Sequence, residues 1–171
     1  MKTSTTASPA TRLPTLSRQE RMALVLERIF DRRMGRFGVW LYRLTGGRIA
    51  QLYGKDVLVL TTRGRRTGQE RTVLLQFFRD GAQMVLVAAN SGLSTHPGWF
   101  YNLQATPTAQ VQVLEQRFLV RAEELSADEV TAFWPQILRR SPDYIRYLKC
   151  TSRTIPLVRL MPLAPGVESL S

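Results

Sequence analysis

Between two apolar runs the chain reads LTTRGRRTGQERT over Leu60–Thr72, and here residue types and spacing first amount to chemistry. Glycine permits positive φ and close backbone approach, while arginine forks bind phosphate oxygens two at a time. Arg65, Arg66 and Arg71, with Thr67 and Gly68 between them, read as a cradle for an anion, first of all a phosphate-bearing ligand. An exposed hairpin loop charged for solubility is the competing interpretation. A second segment, Ala88-Ala89-Asn90-Ser91-Gly92, ends an apolar run with small residues and leads into His96-Pro97-Gly98-Trp99-Phe100-Tyr101-Asn102-Leu103. Small side chains at a strand end let a flat ring approach, and successive N–H groups there can donate to ring carbonyls. A tricyclic heteroaromatic fits that description. So does a plain turn, with Trp99 in the core and His96 in a loop or helix cap.

Composition narrows the possibilities. With 171 residues and 44% apolar content the chain is expected to form one domain with an appendage. Its single cysteine, Cys150, excludes an internal disulfide framework, and His96 is the only histidine, so no all-protein zinc or haem site is expected. Redox chemistry would need an organic cofactor. The net charge of +11 is uneven: residues 1–54 hold ten basic and three acidic residues. A basic balance suits nucleic acid, an anionic membrane surface or acidic ligands. Neither a helix-turn-helix spacing nor basic strands interleaved with aromatics is present, so no nucleic-acid partner is expected. The N-terminus lacks an apolar stretch after its first charge, and no run approaches the roughly 20 apolar residues of a membrane span. A cytoplasmic location, peripheral at the inner membrane face if residues 17–48 bind lipid, is the expectation.

The elements that must position these residues follow from periodicity. Residues 1–16, rich in Ser, Thr and Pro, read as a disordered tail, and 164–171 as a C-terminal tail. From Ser17 to Leu44, Met22, Leu26, Ile29, Phe30, Met34, Phe37, Leu41 and Leu44 recur at spacings of three and four, opposite Arg21, Arg28, Arg32, Arg36 and Arg43. This basic amphipathic helix, within a segment 17–48, could pack its apolar stripe on the core or a second subunit, or lie on an anionic bilayer. The barrel domain is set at 49–163. Strands are expected at Asp56–Thr61, Arg71–Arg79, Gln83–Asn90, Ala109–Leu114, Arg117–Glu123 and near Ile155–Met161, with an Asp80-Gly81 hairpin turn. Val57-Leu58-Val59-Leu60 is apolar on both faces, as where one face lines a barrel and the other meets a helix. Helices are expected over Pro97–Ala105, with proline in the first helical position, and over Ser126–Arg140, opened by a Ser126/Glu129 capping box and kinked at Pro135. Three strands in direct succession disfavour a parallel doubly wound sheet and point to a small closed or split antiparallel barrel of α+β class.

LTTRGRRTGQERT, the following strand and RDG turn, VAANSG, HPGWFYNLQATP with its VQV strand, and SPDYIRYLKCTSRTIPLVRL occur in this order over about residues 55–162. In this combination the chain resembles the deazaflavin-dependent (coenzyme F420-dependent) nitroreductases of actinobacterial type. The resemblance implies a split β-barrel like those that bind flavin mononucleotide. It implies that Arg65, Arg66, Thr67, Gly68 and Arg71 hold the phosphate and polyglutamate tail of F420, that Ala89, Asn90, Ser91 and Gly92 lie beside the deazaflavin ring, and that Trp99 and Asn102 belong to the adjoining helix. Tyr144 and Tyr147 match tyrosines on the substrate face and are candidate proton donors, packing against the cofactor being their alternative role. Ser141 and Cys150 stand where relatives carry a tyrosine and an aromatic residue, and Gln76 where tyrosine can occur, which implies a differently shaped substrate pocket. The expected activity is hydride transfer from reduced F420 to a quinone-like, enone or nitroaromatic small-molecule acceptor, by a monomer or homodimer with no metal. A flavin mononucleotide enzyme on the same barrel and a non-catalytic deazaflavin or flavin carrier are the alternatives.

Overall fold

The structure, a computed structural model, describes Gly35 and residues 37–48 and 54–163. The expected tails at 1–16 and 164–171 and the part of the expected basic helix before Gly35 lie outside the described residues.

Six strands close into one antiparallel barrel in the order β1-β2-β3-β6-β5-β4. They are β1 Val57–Arg63, β2 Glu70–Asp80, β3 Gln83–Val87, β4 Thr108–Val113, β5 Gln116–Glu124 and β6 Leu157–Pro162. Closure leaves no free edge between β1 and β4, where Val59 faces Gln112 and Thr61 faces Gln110. Alternation in β1 sends Leu58 and Leu60 into the main core with Phe77, Leu86, Val111 and Leu160. Val59, on the outer face, packs with Val39 and Tyr42 of helix α1, residues 37–44. The two-faced reading of this strand is therefore realised, with one face in the barrel and the other under a helix.

The docking face of α1 is not the expected stripe. Val39 and Tyr42 are buried on the barrel, whereas Phe37, Trp40 and Leu44 are 47%, 55% and 66% exposed. At 100° per residue these sets lie on opposite sides of the helix. The reason is the phenol of Tyr42, which donates to the Val57 carbonyl at 2.9 Å and accepts the Leu114 N–H at 2.9 Å. Those two bonds satisfy backbone groups at a strand start and a hairpin turn, and they fix the helix rotation.

Helices α2 (Gly98–Ala105), α3 (Ala127–Arg140) and α4 (Tyr144–Cys150) are the further α-helices among the described residues. Trp99, Phe100 and Leu103 of α2 join the barrel core. Ile137 of α3, with Val130, Phe133 and Trp134, covers the outer face of β3 and β6 through Val85, Val87 and Leu157, and Tyr144, Tyr147 and Leu148 of α4 join them. The capping box forms as expected: Ser126 accepts the Glu129 N–H and the Glu129 carboxylate accepts the Ser126 N–H. Arg159 at 2.9 Å and then the Ser126 contacts hold the Glu129 carboxyl down to about 2. The helix continues through Pro135, the position expected to kink it; Thr131 and Pro135 are both exposed, so the carbonyl left without a donor faces water. Two expectations need correcting. Pro97 caps α2 from outside with extended backbone (ψ 153°) instead of opening it, and β3 stops at Val87 instead of Asn90.

Tyr42→Phe should leave the Leu114 N–H without its partner and lower stability by about 1–3 kcal/mol. Each kcal/mol corresponds to roughly 2–4 °C of Tm in a chain of this size, so calorimetry checks the effect and an unchanged Tm refutes it.

Candidate functional site

The β1–β2 connection is closed at its base by the Gly64 N–H donating to Gln69 O at 2.8 Å, and tightened by Gly68 N–H to Gly64 O at 2.7 Å. Gly68 turns at φ 67°, which a side chain would resist. Loop and strand are stapled to α2 by one side chain. The carboxamide of Asn102, 8% exposed, accepts the Arg65 N–H through Oδ1 at 3.1 Å and donates through Nδ2 to Thr62 Oγ1 at 3.0 Å. The Arg65 guanidinium lies over the Tyr101 ring, 4.3 Å from its centroid.

These residues border an open cleft of about 840 Å³. Its wall includes Arg65, Arg66, Thr67 and Arg71 from the turn, Thr62 and Val73 from the strands, and Thr95 through Asn102 apart from Phe100. Among the described residues no carboxylate pairs with Arg65, Arg66 or Arg71, while Arg79, Arg140 and Arg159 all have acidic partners. Cations left unpaired beside an aromatic and hydroxyl-bearing cleft suit a ligand with an anionic end and a flat body.

The other expected residues form a second group outside the cleft wall. After β3, Asn90 and Ser91 take positive φ of 48° and 50° in a short 3-10 turn, Asn90–Gly92. Asn90 Nδ2 donates to Thr95 O at 2.9 Å. The N–H groups of Ala88, Gly92 and Leu93 are used within the protein, by Pro156, Ala89 and Asn90 carbonyls. Helix α4 sits directly on the turn: a Cβ at Gly92 would come 2.6 Å from Cys150 Cβ, and Gly92 itself has φ 71°. Tyr144 meets Phe78, Trp134 and Tyr147 edge-on at 5.9, 6.4 and 5.5 Å. Burial first, and Asp143 second, push the Tyr144 phenol up to about 12. Gln76 Nε2 donates to Ser141 Oγ at 2.7 Å, so two of the positions marked as departures are bonded to each other. Thus Arg65, Arg66, Thr67, Arg71, Trp99 and Asn102 share the cleft wall, whereas Gln76, Ser141, Tyr144, Tyr147, Cys150 and the Ala89–Gly92 turn are not part of that wall.

Sequence reasoning missed Arg153. Its guanidinium donates to Ala88 O at 3.0 Å, Ala89 O at 2.8 Å, Leu93 O at 2.9 Å and Thr154 O at 3.1 Å, and contacts His96 Nδ1 at 2.9 Å. By drawing Ala88 O and Ala89 O to itself it ends β3 early and holds the path from the strand to α2. No local pattern around Arg153 signals this, because its partners on that path lie some sixty residues upstream.

The sequence profile of the F420H(2)-dependent quinone reductase family matches residues 34–162. The chain belongs to that family. It is accordingly an oxidoreductase, with coenzyme F420 as its cofactor. The deazaflavin dependence expected from the motifs holds, while the family description names quinone where the motif resemblance named nitroreductases. An F420H(2)-dependent quinone reductase of Mycobacterium tuberculosis is 34% identical over 125 residues, 70% of this chain and 84% of the relative. A putative F420H(2)-dependent quinone reductase of the same organism is 30% identical over 105 residues, 61% of this chain and 88% of the relative. A solved F420-H2 dependent reductase superposes with TM-score 0.56 at 29% identity, covering 61% of this chain and 93% of its own, so the split-barrel expectation also holds. The arginines without acidic partners and the open, aromatic-bearing cleft fit a cofactor with an anionic tail.

Asn102→Ala should free the arginine turn from α2. Hydrogen exchange at the Arg65 amide is expected to accelerate at least about tenfold, for a lost bond of order 1.4 kcal/mol. Unchanged exchange would mean that the turn is held by its own hydrogen bonds.

Proposed function

We propose that the enzyme seats F420 along the cleft with its phosphate and glutamyl carboxylates on Arg65, Arg66 and Arg71, and reduces a quinone-like acceptor at the ring end. The observation that carries this reading is the set of arginines without acidic partners, beside a cleft of the right character. When bound, the reduced deazaflavin supplies a hydride. The protein's part is to orient donor and acceptor to within about 3–3.5 Å and to stabilise the charge that develops on the acceptor oxygen. Thr67 and Gly68 shape the tail site; Trp99 and the Ala89–Gly92 turn flank the ring. Tyr144 and Tyr147, with Gln76, Ser141 and Cys150, act on the acceptor side by buttressing that turn. A phenol at about 12 keeps its proton through the neutral range, which suits Tyr144 to hydrogen-bond donation more than to proton transfer. Enones and nitroaromatics are further acceptors that the same hydride chemistry would reduce.

Replacing Arg65 and Arg66 together by alanine should weaken F420 binding by at least about tenfold, one decade per roughly 1.4 kcal/mol. Titrating the fluorescence of F420 against the variant measures this, alongside turnover of menadione by the parent protein with reduced F420. Unaltered affinity would move the anionic tail elsewhere.

We infer that the enzyme works at an anionic membrane surface, where hydrophobic quinones partition. Support comes from α1, whose inner face is committed to the barrel and whose outer face leaves Phe37, Trp40 and Leu44 exposed, Phe37 and Trp40 stacked at 5.5 Å. Arg43 and Arg48 are exposed beside them in a chain of net charge +11. Aromatic and leucine side chains on one face with flanking arginines match an interfacial helix. Changing Phe37, Trp40 and Leu44 to serine should cut co-sedimentation with phosphatidylglycerol vesicles at least about tenfold, given the free energy of apolar burial. Intact binding by this variant would assign the exposed stripe another role.

A further inference from the structure

His96 lines the cleft, and its ring is held from two sides, by Phe100 at 4.9 Å and Tyr101 at 5.7 Å between centroids. Its Nδ1 lies 2.9 Å from Arg153 Nη1. A guanidinium can only donate, so Nδ1 accepts and the imidazole proton must sit on Nε2. Arg153 is itself fixed by four backbone carbonyls, which leaves its fork no freedom to follow the imidazole. Nε2 has no hydrogen-bond partner among the described residues. Elsewhere the polar side chains of the wall are arginines, threonine hydroxyls, the Tyr101 phenol and the Asn102 carboxamide, the last already bonded to Arg65 and Thr62; His96 adds a neutral, directional donor of fixed tautomer.

We propose that His96 donates through Nε2–H to an oxygen acceptor of the ligand in the cleft, and that Arg153 is the positioning residue that sets this tautomer. The inference rests on the reading that F420 occupies this cleft. Two oxygen sources share the chemistry: a carbonyl of the deazaflavin, or a carbonyl of the quinone. In either case the donor is a neutral hydrogen bond, strengthening as negative charge grows on the oxygen.

The groups facing the imidazole are Arg153 from the segment after α4, Tyr101 from α2 and Glu124 from β5. Burial and then Arg153 hold the imidazole below its ordinary 6.5, against an opposing pull from Glu124. An unfolded chain takes up this proton near 6.5 while the folded one resists it. The pair therefore contributes stability that is present above that pH and is lost as pH falls below it.

Because His96 is the only histidine in the chain, nitrogen-15 spectra of protein without a histidine tag show one imidazole. At pH 7.5 the free protein should give a neutral ring protonated at Nε2. Adding F420 should shift Nε2 if the deazaflavin is the acceptor; a shift seen only when menadione is added to the F420 complex assigns the quinone. Protonation at Nδ1, or saturating F420 and menadione without any change at Nε2, overturns the proposal. F420 that fails to quench or bind at all fails the reading of the cleft instead, and with it the ligand half of the proposal. Arg153→Met should release the tautomer to a mixture and move the midpoint upward, a change that a merely structural role would not produce. Arg153→Lys, which keeps the charge and a donor nitrogen, should restore the tautomer in part. His96→Phe, which keeps ring packing, should raise either the Kd for F420 or the KM for menadione by about three- to tenfold, the range of a single neutral hydrogen bond. Unchanged constants in His96→Phe refute the donor role whatever the tautomer.

Discussion

The guanidinium of Arg153 is the constraint on which the site depends. The chain must leave the barrel after β3, pass through two residues of left-handed backbone at Asn90 and Ser91, and enter α2. Left-handed non-glycine residues each cost of order 1 kcal/mol, and such a path persists only when its surroundings over-determine it. Three carbonyls of that path, those of Ala88, Ala89 and Leu93, bound to one cation supply that determination, since charge-assisted hydrogen bonds are stronger than neutral ones. The same cation reaches His96, so the geometry of the strand end and the chemistry of the cleft wall are set together.

A second staple, the carboxamide of Asn102, does for the arginine turn what Arg153 does for the small-residue turn. Asn102 acts from α2, whose Trp99, Phe100 and Leu103 are anchored in the barrel core, and Arg153 acts on the segment that leads into it. Helix α2 is therefore the common reference for the two walls. One face of it reads the β1–β2 turn through Asn102, and its N-terminal approach carries His96. Packing density in such a core is high enough that a shift of α2 would be felt at both turns.

What the sequence made legible was whatever depends on near neighbours. Alternation in Val57–Leu60, the Asp80-Gly81 turn and the Ser126/Glu129 box each rest on residues a few positions apart, and each is found in the structure. Arg65, Arg66, Thr67 and Arg71 were legible as a cradle because one short loop holds them. The partnerships that were not legible cross the chain: Arg153 to Ala89, Asn102 to Arg65, Gln76 to Ser141. Periodicity likewise found an apolar stripe through Phe37 and Leu44 but could not reveal that a tyrosine hydroxyl would commit the opposite face to the barrel. In the Asn90–Gly92 turn the small residues were visible, whereas their conformation depends on a cation supplied from beyond α4.

The distribution of charge links stability to ligand binding. Arg79, Arg140 and Arg159 neutralise Asp56, Asp80 and Glu129 around β2, α3 and β6. At the cleft the opposite choice is made, and the arginines repel one another across a few residues of loop. Solvent and salt screen that repulsion in the free protein, so it is tolerated. An anionic ligand removes it and adds charge-assisted hydrogen bonds at the same time. Binding that favours only the folded state then stabilises the fold through mass action, in proportion to the logarithm of ligand concentration over Kd. The loop is thus arranged so that its electrostatic optimum lies in the complex and not in the free chain, which is the physical meaning of leaving those cations without acidic partners.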